Sequence, residues 1–320
     1  MNTLSLVNSI ITLALLISQS FNFNKTTENI KIKEGTGVFQ IMGGMGHEND
    51  TINIHYYKPK NFNSNSKILM VIPGSGRNAD SYRDSWITAS EKHNVLIISP
   101  SYKEKNYSYE DYHLGGMVKD ISRAGFSFVK NSNHVIMNED LVRFSINLDS
   151  KLWIYNDFDR IFKIVKKAVN SNQTNYDMFG HSAGGQILHR FVLMHPKSKA
   201  RTILASNAGS YTIPDLKTEF PFGIKGMNLN LKKSLKKDLV LFLGELDNAN
   251  ETGGLLLRSK TIDKQGLHRL SRGTNFYNKG IKISERLNLK CNWKIEIVPN
   301  IGHNQRLMAK AAAKYLYEHK

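Results

Sequence analysis

Cysteine is all but missing from this chain: Cys291 stands alone among 320 residues. No intramolecular disulfide can form, so even an exported chain would not rest on a disulfide framework. Proline is scarce too, with seven residues, and no proline-rich linker, internal repeat or low-complexity tract divides the sequence. With 40% hydrophobic residues over this length, the chain can bury one large core as a single domain. Acidic residues fall short of basic ones, 27 against 44, which leaves a formal net charge of +17. An excess of this size can serve nucleic acid or anionic polymers. Here it is spread out, with small clusters at Lys166-Lys167 and at Lys232, Lys233, Lys236 and Lys237. No helix-turn-helix, zinc-ligand set or aromatic stacking motif accompanies it. A solvated lysine-rich surface is expected, with no nucleic-acid partner, though the Lys232 to Lys237 cluster would favour anionic substrates if it lined a site mouth. No histidine and carboxylate spacing resembles a ligand set, so no metal and no other cofactor is expected.

Long apolar runs are also lacking. The most apolar stretch lies near the start and ends in Ser18-Gln19-Ser20, too short for a comfortable membrane span. Small residues at its end resemble a secretory signal cleaved after Ser20, although no Lys or Arg precedes the apolar core. The expected organisation is a signal peptide over 1–20 and one domain over 21–320. The product would be secreted or periplasmic, with no stable membrane anchor after cleavage. Asn106, Asn172 and Asn250 head Asn-x-Ser/Thr triplets, which matter only in a eukaryotic host.

What is present is a chemistry-bearing turn. Tyr176-Asp177-Met178-Phe179 reads as a short apolar strand, then Gly180-His181-Ser182-Ala183-Gly184-Gly185, then an amphipathic helix over 186–195. A serine on a sharp strand-to-helix turn is held in a strained conformation, and small flanking residues make room where strand and helix pack. Gly180 and Gly184 supply that room, which marks Ser182 as a nucleophile. His181 is expected to point away and pack, and His189 and His195 to be structural.

A serine nucleophile needs a base, an orienting carboxylate and an oxyanion hole. Leu239-Val240-Leu241-Phe242-Leu243 reads as a parallel strand buried on both faces, followed by Gly244-Glu245-Leu246-Asp247. Asp247 then falls past the carboxyl end of that strand, where open α/β sheets place their sites. Glu245 and, more weakly, Asp215 are alternatives. Residues 293–298 alternate as a last strand, Pro299-Asn300-Ile301-Gly302-His303 turns out of it, and an alanine-rich helix follows over 305–317. His303 is therefore the candidate base. For the oxyanion hole, one backbone N–H would come from Ala183. The other would come from the loop Pro73-Gly74-Ser75-Gly76-Arg77-Asn78-Ala79-Asp80 after a strand at 67–72, from Ser75 first and Gly76 next. Asn78 or Asp80 would cap a helix over 81–92.

These residues, in this order, resemble the α/β-hydrolase superfamily of serine hydrolases over roughly 35–320. The oxyanion-loop and elbow sequences are similar to the secreted polyhydroxybutyrate-depolymerase and feruloyl-esterase-like group, with Pro73 where that group usually carries histidine. The resemblance implies an α/β fold: a mostly parallel central sheet, helices on both faces and cap-like insertions. Further strands are expected at 37–42, 51–57, 95–99 and 202–206. Stretches 102–149 and 210–237 break the alternation and read as insertions. The implied reaction is hydrolysis of small or polymeric carboxylic esters, with peptide hydrolysis by the same machinery, or a silent binding protein, as alternatives. Tyr211, on the loop after residues 202–206, is the candidate substrate contact.

Overall fold

A computed structural model of the chain describes residues 30–318. The expected signal segment and the boundary at residue 21 lie outside the described residues. The chain begins with β1 (Gly35–Met42) and β2 (Thr51–Lys58), an antiparallel pair running from Gly35 opposite Lys58 to Met42 opposite Thr51. Alternation along β2 sends Ile52, Ile54 and Tyr56 inward. Next come β3 (Lys67–Ile72) and β4 (Val95–Ser101). The first insertion carries β5 (Val118–Lys119), β6 (Phe126–Phe128), β7 (His134–Met137) and β8 (Ser145–Ile146). The second half supplies β9 (Tyr176–His181), β10 (Ala200–Ser206), β11 (Asp238–Gly244), β12 (Leu256–Arg258) and β13 (Lys294–Val298).

Eight strands join in one sheet, in the order β1-β2-β4-β3-β9-β10-β11-β13. From β4 to β13 every pairing is parallel, and only β1 and β2 run antiparallel to their neighbours. Strands covered on both faces need apolar residues at every position, which is why Leu69, Met70, Val71 and Ile72 are all fully buried. On one face, the helix Ala183–Met194 packs Ile187, Leu188 and Phe191 into the larger core. On the other, Trp86 and the helix Gln305–Tyr317, through Met308 and Ala312, cover Leu69, Phe179 and Val240. The chain leaves β3 for β4 on one side and later returns to β9 on the other. The strand order therefore reverses between β3 and β9, and the crevice at their carboxyl ends is where such sheets bind ligands.

The helix expected over 81–92 is two helices, Ala79–Asp84 and Ile87–His93. The break drops Trp86 into the core edge-on to Phe179, with ring centroids 5.2 Å apart. Asn78 occupies the N-cap position but makes no side-chain capping bond. Both expected insertions stand outside the main sheet. The first contributes β6 and β7, which β12 extends into a three-stranded sheet, and it also contributes the two-stranded β5–β8 ribbon.

Candidate active site

Ser182 follows β9 directly and stands at the N-cap of the helix Ala183–Met194, one turn earlier than the sequence pattern indicated. Its φ of 60° and ψ of −117° are a strained backbone state for a residue with a side chain. The turn survives because its neighbours are small: a Cβ on Gly184 would collide with the Ile72 carbonyl. Steric need, rather than loop composition, explains the glycine.

Ser182, His303 and Asp247 converge although they lie on three separate loops. Ser182 Oγ is 3.1 Å from His303 Nε2, and His303 Nδ1 is 2.7 Å from Asp247 Oδ2. Asp247 is almost fully buried. Burial by itself would raise its pKa; the hydrogen bond and charge of His303, the Arg269 charge and a bond from Asn207 outweigh burial and hold the carboxyl below its ordinary value. A carboxylate only accepts, so Nδ1 carries the ring proton and Nε2 of the neutral imidazole is left to accept from Ser182. An array of this kind can take a hydroxyl proton as the oxygen attacks and hold the resulting imidazolium.

The other acid candidates are engaged elsewhere. Glu245 is exposed and accepts from the Asn300 amide at 2.9 Å. Asp215 accepts from the Lys217 and Thr218 amides of its own turn.

Several contributors to the site carried no signal in the sequence. Asn207, at φ +49° just past β10, donates to Asp247 Oδ2 at 2.6 Å. Arg269, at the start of the helix Arg269–Arg286, donates to Asp247 Oδ1 at 3.1 Å. The Leu270 amide also bonds the Asp247 carbonyl. Glu251 accepts from the His303 backbone N–H, fixing the loop that carries the histidine. His181 is a packing residue, as expected, but it packs on His303 itself, with ring centroids 4.5 Å apart. Neither of its ring nitrogens has a hydrogen-bond partner among the described residues, and burial drives its pKa well below the ordinary histidine value.

The loop after β3 lies against the serine: a Cβ on Gly74 would come within 3.5 Å of Ser182 Cβ. Ser75 is the next residue along, and Ala183 opens the helix, where first-turn N–H groups lack helical acceptors. Arg77 clamps the loop to the first insertion. Its guanidinium donates to the carbonyls of Tyr102, Tyr107 and Ser108 and lies over the Tyr112 ring. Tyr112 in turn donates to the Pro73 carbonyl.

Tyr211 is a correction. It is fully buried, stacked on Phe276 at 5.0 Å and tilted against His189 at 4.8 Å. Its backbone N–H and carbonyl both bond the Gln265 amide. The loop turns this ring into the core between two helices, so it cannot cover a substrate.

An eight-stranded, mostly parallel sheet with a serine elbow at its reversal point defines an α/β hydrolase. No protein-family model and no curated protein matches the sequence. Among solved structures, poly(aspartic acid) hydrolase-1 from Sphingomonas sp. KT-1 is similar at 32% identity and TM-score 0.73, over 88% of this chain and 98% of that one. The poly(3-hydroxybutyrate) depolymerase LpqC from Bordetella parapertussis shares the fold at 23% identity and TM-score 0.75, over 90% and 92% of the two chains. An IroE-like serine hydrolase from Shewanella oneidensis does so at 11% identity and TM-score 0.52, over 88% and 80%. The chain belongs to the α/β-hydrolase superfamily of serine hydrolases. Among the described residues, no helix is long and apolar enough to cross a membrane.

Proposed function

We propose that the protein hydrolyses carboxylic esters by acyl transfer through Ser182. The observation that carries this reading is the continuous hydrogen-bonded path from Ser182 Oγ through His303 to Asp247. His303 Nε2 takes the hydroxyl proton as Oγ attacks the carbonyl carbon, and Asp247 holds the imidazolium. The N–H groups of Ala183 and Ser75 stabilise the oxyanion. The proton then passes from His303 to the leaving alkoxide, which departs as the alcohol. Water repeats the sequence on the acyl-enzyme, gives its proton to His303, and releases the acid as Ser182 regains its own. No metal or cofactor takes part in any step.

Hydrolysis of p-nitrophenyl acyl esters of rising chain length tests the reading and sizes the acyl pocket. Turnover by the native chain that is lost in a folded Ser182→Ala variant supports it. A silent binding protein would turn over none of them.

Amide cleavage is the second reading, favoured by the 32% identity to an enzyme named for poly(aspartic acid), a polymer joined by amide bonds. The same machinery would serve, with an amine as leaving group. Matched ester and anilide substrates of one acyl group separate the two readings. Export completes the proposal: removal of residues 1–20 places the enzyme outside the cytoplasm, on small or polymeric substrates, with no nucleic-acid partner. Mass spectrometry of the mature amino terminus tests it.

A further inference from the structure

A cavity of ≈ 670 Å³ lies where the two insertions meet the elbow helix. Gln186 and Arg190 form part of its wall, together with Ser210 and the rings of Phe126, Phe144 and Phe220. Ser182, Gln186 and Arg190 are spaced four residues apart, so they share one face of the helix. The Gln186 amide donates to the Ser182 carbonyl at 3.0 Å. Eight residues at the helical rise put Arg190 about 12 Å along the axis from the serine.

Arg190 is 1% exposed. Nε donates to Thr212 Oγ1 at 2.9 Å and Nη1 to the His113 carbonyl at 2.6 Å, both neutral acceptors. Among the described residues, neither a hydrogen-bond partner of Nη2 nor a carboxylate paired with this guanidinium is found. Two other arginines buried as deeply do have one: Arg269 bonds Asp247 and Arg272 bonds Asp263. A guanidinium stays charged at any pH the protein meets, and an uncompensated buried charge is costly. Burial holds Arg190 below its ordinary pKa, so an anion beside it would be stabilising.

The carboxylates around the cavity are already used. Glu139 accepts from Thr261, Asp215 from the amides of its own turn, and Glu219 pairs with Lys225. Lys217 and Lys279 also line the cavity and form no ion pair among the described residues.

We infer that this cavity is an acid-binding subsite: it receives acyl groups that carry a carboxylate remote from the scissile bond, with Arg190 as the partner of that carboxylate. The inference rests on the hydrolase reading above and names its substrate class. The aromatic wall holds the connecting carbon chain, and the oriented guanidinium receives the acid.

The test compares p-nitrophenyl esters of n-alkanoic acids with mono-p-nitrophenyl esters of α,ω-diacids of equal length. At the length that spans the subsite, kcat/KM should favour the diacid ester by about tenfold to a hundredfold, the worth of a hydrogen-bonded charge. The preference should persist in about 0.5 M salt, because a buried pair is screened far less than a surface field. Arg190→Gln should bring the ratio close to one. Neutral esters turned over as fast at every length would overturn the inference, as would an unchanged ratio in folded Arg190→Gln. If that variant does not fold, the native ratio decides alone: a diacid preference that persists in salt upholds the inference, and one that salt abolishes overturns it. Absence of turnover on both series would instead overturn the hydrolase reading. Calorimetry of Ser182→Ala with glutarate then decides the subsite: saturable binding upholds it and no heat of binding refutes it.

Discussion

Arg269 and Asp247 form an ion pair that solvent barely reaches, Nη1 to Oδ1 at 3.1 Å with side chains 2% and 1% exposed. This pair leaves Oδ2 for His303 and Asn207. The carboxylate is thus held from three sides, and only one of its contacts leads to the serine. Removing one partner of a buried pair strands the other charge. Arg269→Gln should therefore lower stability by about 3–5 kcal/mol, measured by urea denaturation. A variant as stable as the native chain would show that His303 and Asn207 suffice to hold Asp247.

Asn207→Ala removes a neutral donor and leaves the charges alone. Asp247 and the imidazole it orients would lose alignment, which should lower kcat by about a hundredfold with KM little changed. Steady-state kinetics on one ester decides it, and a rise in KM at constant kcat would move Asn207 to substrate binding.

How much of this was legible in the sequence depends on how local each constraint is. The elbow could be read because its glycines answer a steric demand within six residues, with the strand and helix alongside. The placement of Asp247 and His303 just past strand ends on the side of Ser182 could be read because strand ends are periodic features and open α/β sheets gather loops there. Arg269 could not, since it reaches Asp247 from a helix that starts 22 positions later and only tertiary packing brings them together. The 102–149 segment showed as a break in the alternation, but its pairing with β12 has no sequence pattern. Tyr211 was misread because composition marks a loop and says nothing of which way its ring turns.

Tyr211 now belongs to the core, and its substitution should behave accordingly. Tyr211→Ala should cost about 3–5 kcal/mol, as for other large buried rings, seen as a fall in the urea midpoint. Relative kcat/KM across a panel of acyl and aryl esters should stay constant. A change of selectivity without loss of stability would return Tyr211 to the substrate pocket.

Stability should fall on both sides of neutrality for different reasons. Burial pushes the His113 pKa down to about 3, with the Arg77 and Arg190 charges adding to it. A depressed pKa contributes stability above the unfolded value near 6.5, and that contribution is lost as pH falls toward 3. His47 is the opposite case: the Asp111 carboxylate, 3.7 Å from Nε2, and the hydrogen bond of Nδ1 to Asp50 at 2.8 Å together outweigh burial and raise its pKa to about 9. Its contribution is complete below about 6.5 and disappears as pH rises through 9. Melting temperatures across roughly pH 4 to 10 should show both slopes. His47→Gln should flatten the alkaline one and leave the acid one; an unaltered alkaline slope would rule His47 out as its source.

The most direct test of the central claim is capture of the acyl-enzyme. A slowly deacylated ester, quenched in acid during turnover and digested, should add the mass of its acyl group to the peptide carrying Ser182. That adduct should form and decay at least as fast as turnover. In folded Ser182→Ala it should vanish along with nearly all activity, a loss on the order of a millionfold by the precedent of serine proteases. An adduct on another residue, or ester hydrolysis retained in that variant, would contradict the assignment of Ser182 as nucleophile.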